Sequence, residues 1–287
     1  MLTAALLFTS MNVLIKLIGN QFTALDISFY RFSIGILLLI AIFGRHANPY
    51  KGHNTSLLII RGVNGSIAFI LFVMAIQMLP ISTALVIFYS FPIFSVIFSY
   101  FLFGEKIDKI GLVCIMGVII GIGILFDFTL AGNLNGLIVV IAASIFTGMT
   151  MTLVRKLRGK NGSVIIYLYL CTVGAMVTLP KFITNPVFPS TGFELIVIFG
   201  IIILATSGQL LMNQGFYYCK GWEGGAFMSS EVVFTAMVGI FFLNEPVTKR
   251  FLLGTVLIFS SVFILNRYQS SNKGDTFSGK ITTKAHL

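Results

Sequence analysis

Apolar runs long enough to cross a bilayer follow one another from Leu2 to Arg267, with only short connections between them. A helix needs about 17 to 25 such residues to traverse ~30 Å of hydrocarbon. No water inside hydrocarbon satisfies a bare N–H or C=O, so a crossing segment must bond its own backbone, as a helix does. With 57% apolar residues, only 10% charged and a mean hydropathy of +0.99, the chain has no polar shell to keep it soluble. The fold class is therefore an all-α membrane protein.

Ten transmembrane helices are expected, at roughly 2–19, 25–44, 57–79, 81–103, 109–126, 134–154, 163–183, 193–217, 222–243 and 250–267. Ten spans put both termini on one side. That side collects thirteen of the nineteen Lys and Arg residues, the other only Lys181, Lys249 and Arg250; Lys16, Arg31 and Arg61 lie inside spans. Basic residues accumulate on the cytoplasmic side. Both termini are thus expected in the cytoplasm, with the chain in a cell's inner (plasma) membrane. The same asymmetry accounts for the net charge of +10 without nucleic acid. The first span starts almost at Met1, without a basic leader and with Lys16 inside its apolar run, so it reads as a span rather than a cleavable signal. Residues 268–287, rich in Ser, Thr and Lys, are expected to form a disordered tail.

The chain also repeats itself. AALLFTSMN (Ala4 to Asn12) returns 138 residues later as AASIFTGMT (Ala142 to Thr150). Phe91 to Leu112 aligns with Glu231 to Leu252 at an offset of 140, matching Phe94 to Phe234, Phe101 to Phe241, Glu105 to Glu245 and Lys109 to Lys249. Two units follow, 1–130 and 131–267, each with five spans. An odd number turns the second unit upside down, giving a 5+5 inverted repeat, and carriers built this way hold their sites at the repeat interface.

The stretch from Gly224 to Pro246 carries Glu231 about a third of the way along. An ionised carboxylate in hydrocarbon is disfavoured by ~2.5 kcal/mol or more, so it faces a protein interior or a water-filled path. On a helix, Phe227, Glu231, Thr235 and Val238 share one face. Glu231 can neutralise a cationic group of a solute or carry a proton; the bland alternative is a permanent salt bridge to Lys16 or Arg31.

Other polar residues in the spans make further candidates. Ala5, Thr9, Asn12, Lys16 and Gly19 form one stripe of the first span. Lys16 either enters a cavity or snorkels outward, and Asn12 hydrogen-bonds within the bundle. Arg31 can pair with Asp26, with Glu231 or with a solute carboxylate, whereas Arg61, one turn from its span's end, reads as an interfacial anchor. Gln209, Asn213 and Tyr217 form a stripe in the eighth span, with Asn64 opposite; such amides suit a solute with donors and acceptors, or simply join helices. Phe88, Tyr89 and Ser90 precede Pro92, where a kink would turn backbone carbonyls toward a cavity. Gly117 and Gly121 permit close helix approach, either within the chain or in a homodimer.

The five-plus-five repeat, with Gly104-Glu105 and Asn244-Glu245 closing the fourth and ninth spans, resembles the EamA-type carriers of the drug/metabolite transporter superfamily. Asn12 with Lys16, Asp26 with Arg31, and Ser230-Glu231-Val232 resemble the branch that includes bacterial S-adenosylmethionine uptake carriers. The resemblance covers all but the tail. It implies that spans one to four and six to nine surround a cavity, with spans five and ten peripheral.

The expected function is therefore a secondary transporter of a small polar or amphoteric metabolite, by proton coupling or exchange. Its site would hold Asn12, Lys16, Arg31, Asn64, Tyr89, Gln209, Asn213, Tyr217 and Glu231. An exporter of lipophilic cations is the alternative; it would need Glu231 and aromatics but no basic partner. No cofactor or metal is expected: Cys114, Cys171 and Cys219 lack ligand spacing, His46, His53 and His286 lie in loops or tail, and no GxxxxGK[ST] sequence is present. A membrane-embedded lipid-modifying enzyme would need clustered carboxylates or His in the spans, and a channel would need a ring of selectivity residues. Beyond solute and lipid bilayer, a homodimer through the peripheral helices is the remaining partner.

Overall fold

The computed structural model describes residues 2–44, 50–104, 109–125, 134–158, 160–218, 231–232, 234–235, 237–242 and 248–282, and these are overwhelmingly helical, without strands. The helices are α1 (Leu2–Ile18), α2 (Ala24–Phe43), α3 (Thr55–Met78), α4 (Ile81–Phe88), α5 (Phe91–Phe103), α6 (Lys109–Leu125), α7 (Leu134–Leu157), α8 (Ser163–Thr184), α9 (Gly192–Tyr218) and α10 (Lys249–Thr282). Residues 231–232, 234–235 and 237–242 are also helical. Among the described residues, six stretches are long and apolar enough to cross a membrane: α2, α3, α4 with α5, α7, α8 and α9; α1 and part of α6 are shorter apolar helices. The helix of α10 continues to Thr282, past Arg267, where the sequence predicts an irregular tail. The backbone ladder of a helix is local and can run on beyond the packed segment.

The distribution of side chains is that of a protein whose solvent is lipid. Phe101, Val113, Ile196, Phe241 and Phe242 are exposed, while Asn12, Arg31, Arg61, Asn213 and Glu231 are buried. In water this arrangement would forfeit the hydrophobic driving force; in hydrocarbon it hides the polar groups where they can find partners.

Local chemistry sets the helix ends that matter for the site. A 3₁₀ turn at Gly19–Gln21 separates α1 from α2, and Gly19 takes a left-handed conformation (φ 65°) that only glycine adopts readily. Thr23 then caps α2 in a reciprocal box with Asp26. The fourth crossing breaks in two. Pro92 has no N–H to return to the Phe88 carbonyl, so α4 ends at Phe88, Tyr89 and Ser90 turn, and α5 restarts at Phe91. Ser90 Oγ donates to Ile87 O at 2.6 Å and bonds the Ser144 hydroxyl of α7 at 2.9 Å, tying the break to its neighbour.

Packing follows named contacts. Asp26, Phe32 and Gly35 of α2 meet Lys181, Gly174 and Cys171 of α8 in reverse order, so these helices run antiparallel. Gly117 and Gly121 of α6 lie against Ser261 and Ile258 of α10, again antiparallel. The small-residue pair of α6 is therefore used within the chain. In the same way α1 packs on α9 through Phe8 against Gly208 and Leu14 against Gly200, and α3 packs on α7 through Gly65 against Thr150 and Met78 against Gly136.

Candidate functional site

Glu231 is buried, with 5% of its surface exposed. Asn12 of α1 donates its amide Nδ2 to Oε1 at 2.9 Å, and Tyr89, from the break between α4 and α5, donates its hydroxyl to Oε2 at 2.5 Å. Thr235, one turn on, donates to Thr9 at 3.3 Å, joining this segment to the polar stripe of α1. Each carboxylate oxygen thus has one neutral donor. The permanent salt bridge to Lys16 or Arg31 that the sequence leaves open is not formed among the described residues. Asn12 Oδ1 is buried without a hydrogen-bond partner. The carboxylate and this acceptor are together suited to a group bearing N–H donors.

Lys16 does not pair with Glu231. Its ammonium donates to Ile76 O at 2.8 Å and Leu79 O at 2.6 Å, at the C-terminal end of α3. A cation there satisfies carbonyls that have no helical partner and sits at the negative end of the helix dipole.

Two arginines are deep in the bundle. Arg31 is 3% exposed and lies over the ring of Phe69, 3.8 Å from its centroid. Asp26 is not its partner, because Asp26 pairs with Lys181 of α8. Arg61 corrects the sequence expectation of an interfacial anchor: it is also 3% exposed and donates Nη1 to Ile166 O at 3.2 Å. The crossing starts at Thr55, which places Arg61 nearly two turns inside it. That depth within an apolar run is the signal by which sequence alone would have found it.

The amide stripes are partly self-satisfied. Asn64 Nδ2 donates to Ile60 O of its own helix at 2.9 Å. Gln209 Nε2 reaches Asn213 Oδ1 at 3.5 Å, while Asn213 Nδ2 is buried without a partner. The Tyr217 side chain, Gly224 to Ser230, Glu105, Asn244, Glu245 and Cys219 lie outside the described residues. No group of His, Cys, Asp and Glu able to hold a metal ion occurs among the described residues.

The model of the EamA-like transporter family matches residues 1–127 and again 134–267. The chain belongs to the EamA-like transporter family. It is thus a membrane transporter and not an enzyme, as its sequence led one to expect. Two relatives show the breadth of this EamA-like group. The pseudopaline exporter CntI of Pseudomonas aeruginosa is 24% identical over 265 residues, covering 92% of this chain and 93% of the relative. An S-adenosylmethionine uptake transporter of Rickettsia felis is 27% identical over 260 residues, covering 88% and 87%. A crystal structure superposes with a TM-score of 0.62 at 16% identity, covering 93% of this chain and 96% of the other, and shares its fold.

Proposed function

We propose that this EamA-like transporter is a secondary carrier of a small polar or amphoteric metabolite, an amino acid or S-adenosylmethionine-like solute. It works by alternating access between two inverted five-span halves, 1–130 and 131–267, in the cell's inner membrane. The antiparallel packing of α2 on α8 and of α6 on α10 supports the inversion, because these are corresponding helices of the two units. Equivalent contacts recur as well: α1 on α9 answers α3 on α7. The excess of Lys and Arg in one set of connections supports cytoplasmic termini.

The observation that carries the reading is Glu231, a buried carboxylate held among the described residues by an amide and a phenol and by no cation. Such a group is free to take a cationic end of a solute or a proton. The repeat places Phe91 where the second half has Glu231, so the acid belongs to the site and not to the scaffold common to both halves. Arg31 supplies the opposite charge, which a carrier of lipophilic cations would not need. A specific relative supports outward transport as a second reading of direction, the pseudopaline exporter.

Counterflow of labelled S-adenosylmethionine and of labelled amino acids in proteoliposomes tests the proposal. Accumulation by the wild-type chain that Glu231→Gln reduces about tenfold supports it, a factor equal to ~1.4 kcal/mol at the barrier. Normal flux in that variant, or no flux of any of these solutes, refutes it.

A further inference from the structure

We infer that Arg31 and Arg61 together form an oxyanion-binding subsite for the carboxylate end of the transported solute. The inference rests on the carrier reading above and names the chemistry of its second pole. Both guanidinium groups sit in spanning helices with 3% of their surface exposed. A cation in that position is strongly disfavoured unless a partner compensates it. Among the described residues no acid does so: Asp26 pairs with Lys181, Glu231 with Asn12 and Tyr89, and Glu194 with the backbone and hydroxyl of Ser190.

The two groups converge. Phe32, next to Arg31, packs on Gly174 of α8, and Gly62, next to Arg61, packs on the adjoining Val173. Gly35, one turn on from Arg31, lies against Cys171 of α8, where a methyl would be 3.2 Å from Sγ. Like charges brought together in a low-dielectric interior repel, and a shared anion reverses the sign of that interaction.

The unused hydrogen-bonding capacity is of one kind. Nε of Arg31 and Nε of Arg61 are both buried without a hydrogen-bond partner. The Thr150 hydroxyl is a third orphan, its methyl facing Gly65. Two donors that can only donate, with a hydroxyl that can, call for an oxyanion and not for an amine. Phe69 covers the Arg31 guanidinium, whose Nε remains for contact with an oxygen of the anion. Glu231 draws its partners from other parts of the bundle, α1 and the α4–α5 break. The cationic and anionic ends of one solute would thus be read by different helices.

Thermal unfolding of the purified full chain in lipid-free detergent tests this, with sodium succinate or glutamate titrated against sodium chloride at constant ionic strength. The wild type and Glu231→Gln should be stabilised by the carboxylates over chloride. Arg31→Met and Arg61→Met should need about tenfold more carboxylate or more, while unfolding no lower than wild type without anion, since each removes an uncompensated buried cation. Should the Met variants not fold, Arg31→Lys and Arg61→Lys keep the charge, lose the fork, and should show the same weakened midpoint. The subsite is refuted if the wild type responds to carboxylate no more than to chloride, or if the arginine variants respond as wild type does. It is equally refuted if only phosphatidylglycerol raises the midpoint, which would make a lipid headgroup the occupant. Failure here leaves the carrier reading standing, because that reading is decided by flux.

Discussion

Tyr89 donates its hydroxyl to Glu231 across 142 residues of sequence, from the break between α4 and α5. The break serves the contact: in a continuous helix the Tyr89 side chain would follow the ridge of α4, whereas the turn at Tyr89 and Ser90 aims it at the ninth segment. Loss of this single bond is therefore expected to be felt in transport. A hydrogen bond to an ionised group contributes ~1.5–3 kcal/mol, so Tyr89→Phe should weaken solute affinity about tenfold while the chain still folds. Counterflow measured over a range of solute concentrations reads the change, and an unaltered half-saturation would separate Tyr89 from the site.

Proton coupling makes a second prediction. If Glu231 carries the proton, an imposed pH gradient should drive uptake in wild-type proteoliposomes, and the reduced exchange that remains in Glu231→Gln should no longer respond to the gradient. Gln retains the shape: its Oε1 can accept from Asn12, while its Nε2 meets Tyr89 as a donor in place of an acceptor. A gradient response that persists in the variant would place the coupling elsewhere.

Lys16 should behave as part of the scaffold. Its ammonium holds Ile76 O and Leu79 O at the end of α3, a placement worth ~1–2 kcal/mol where partly buried. Lys16→Met is expected to lower the unfolding midpoint and leave half-saturation within about twofold, a difference of only ~0.4 kcal/mol. A large loss of affinity at unchanged stability would instead return Lys16 to the solute.

The Asp26–Lys181 pair should show an asymmetry. Asp26 is fully buried, while Lys181 retains 23% exposure and can reach water. Lys181→Ala strands a buried carboxylate and should lower stability by ~3 kcal/mol. Asp26→Asn keeps the contact with Thr23 and should be milder. Thermal unfolding of the two variants side by side decides the order.

At Gly148, α7 lies close against α5. A Cβ there would lie 2.6 Å from Phe94 Cβ, 2.8 Å from Phe91 O and 2.8 Å from Ser95 N, and two of those are backbone atoms that cannot turn aside. Gly148→Ala should lower stability by ~1–3 kcal/mol through overpacking. Gly192→Ala, with no atom within 4 Å, is the matched control.

Sequence alone determined what the solvent dictates. A chain this apolar must bond its own backbone helically, and a carboxylate inside such a run must face inward, so the membrane class, the EamA resemblance, the break before Pro92 and the burial of Asn12, Arg31 and Glu231 were all legible. Helical periodicity names the face a side chain occupies; it does not name the helix opposite. Only the tertiary structure therefore decided that Asp26 belongs to Lys181 and not Arg31, that Lys16 caps α3, and that Tyr89 and Asn12 hold the acid. Arg61 was misread for a related reason. Distance from a span's end sets how far a cation must reach for water, but the walls of α7 and α8 are what keep it from getting there.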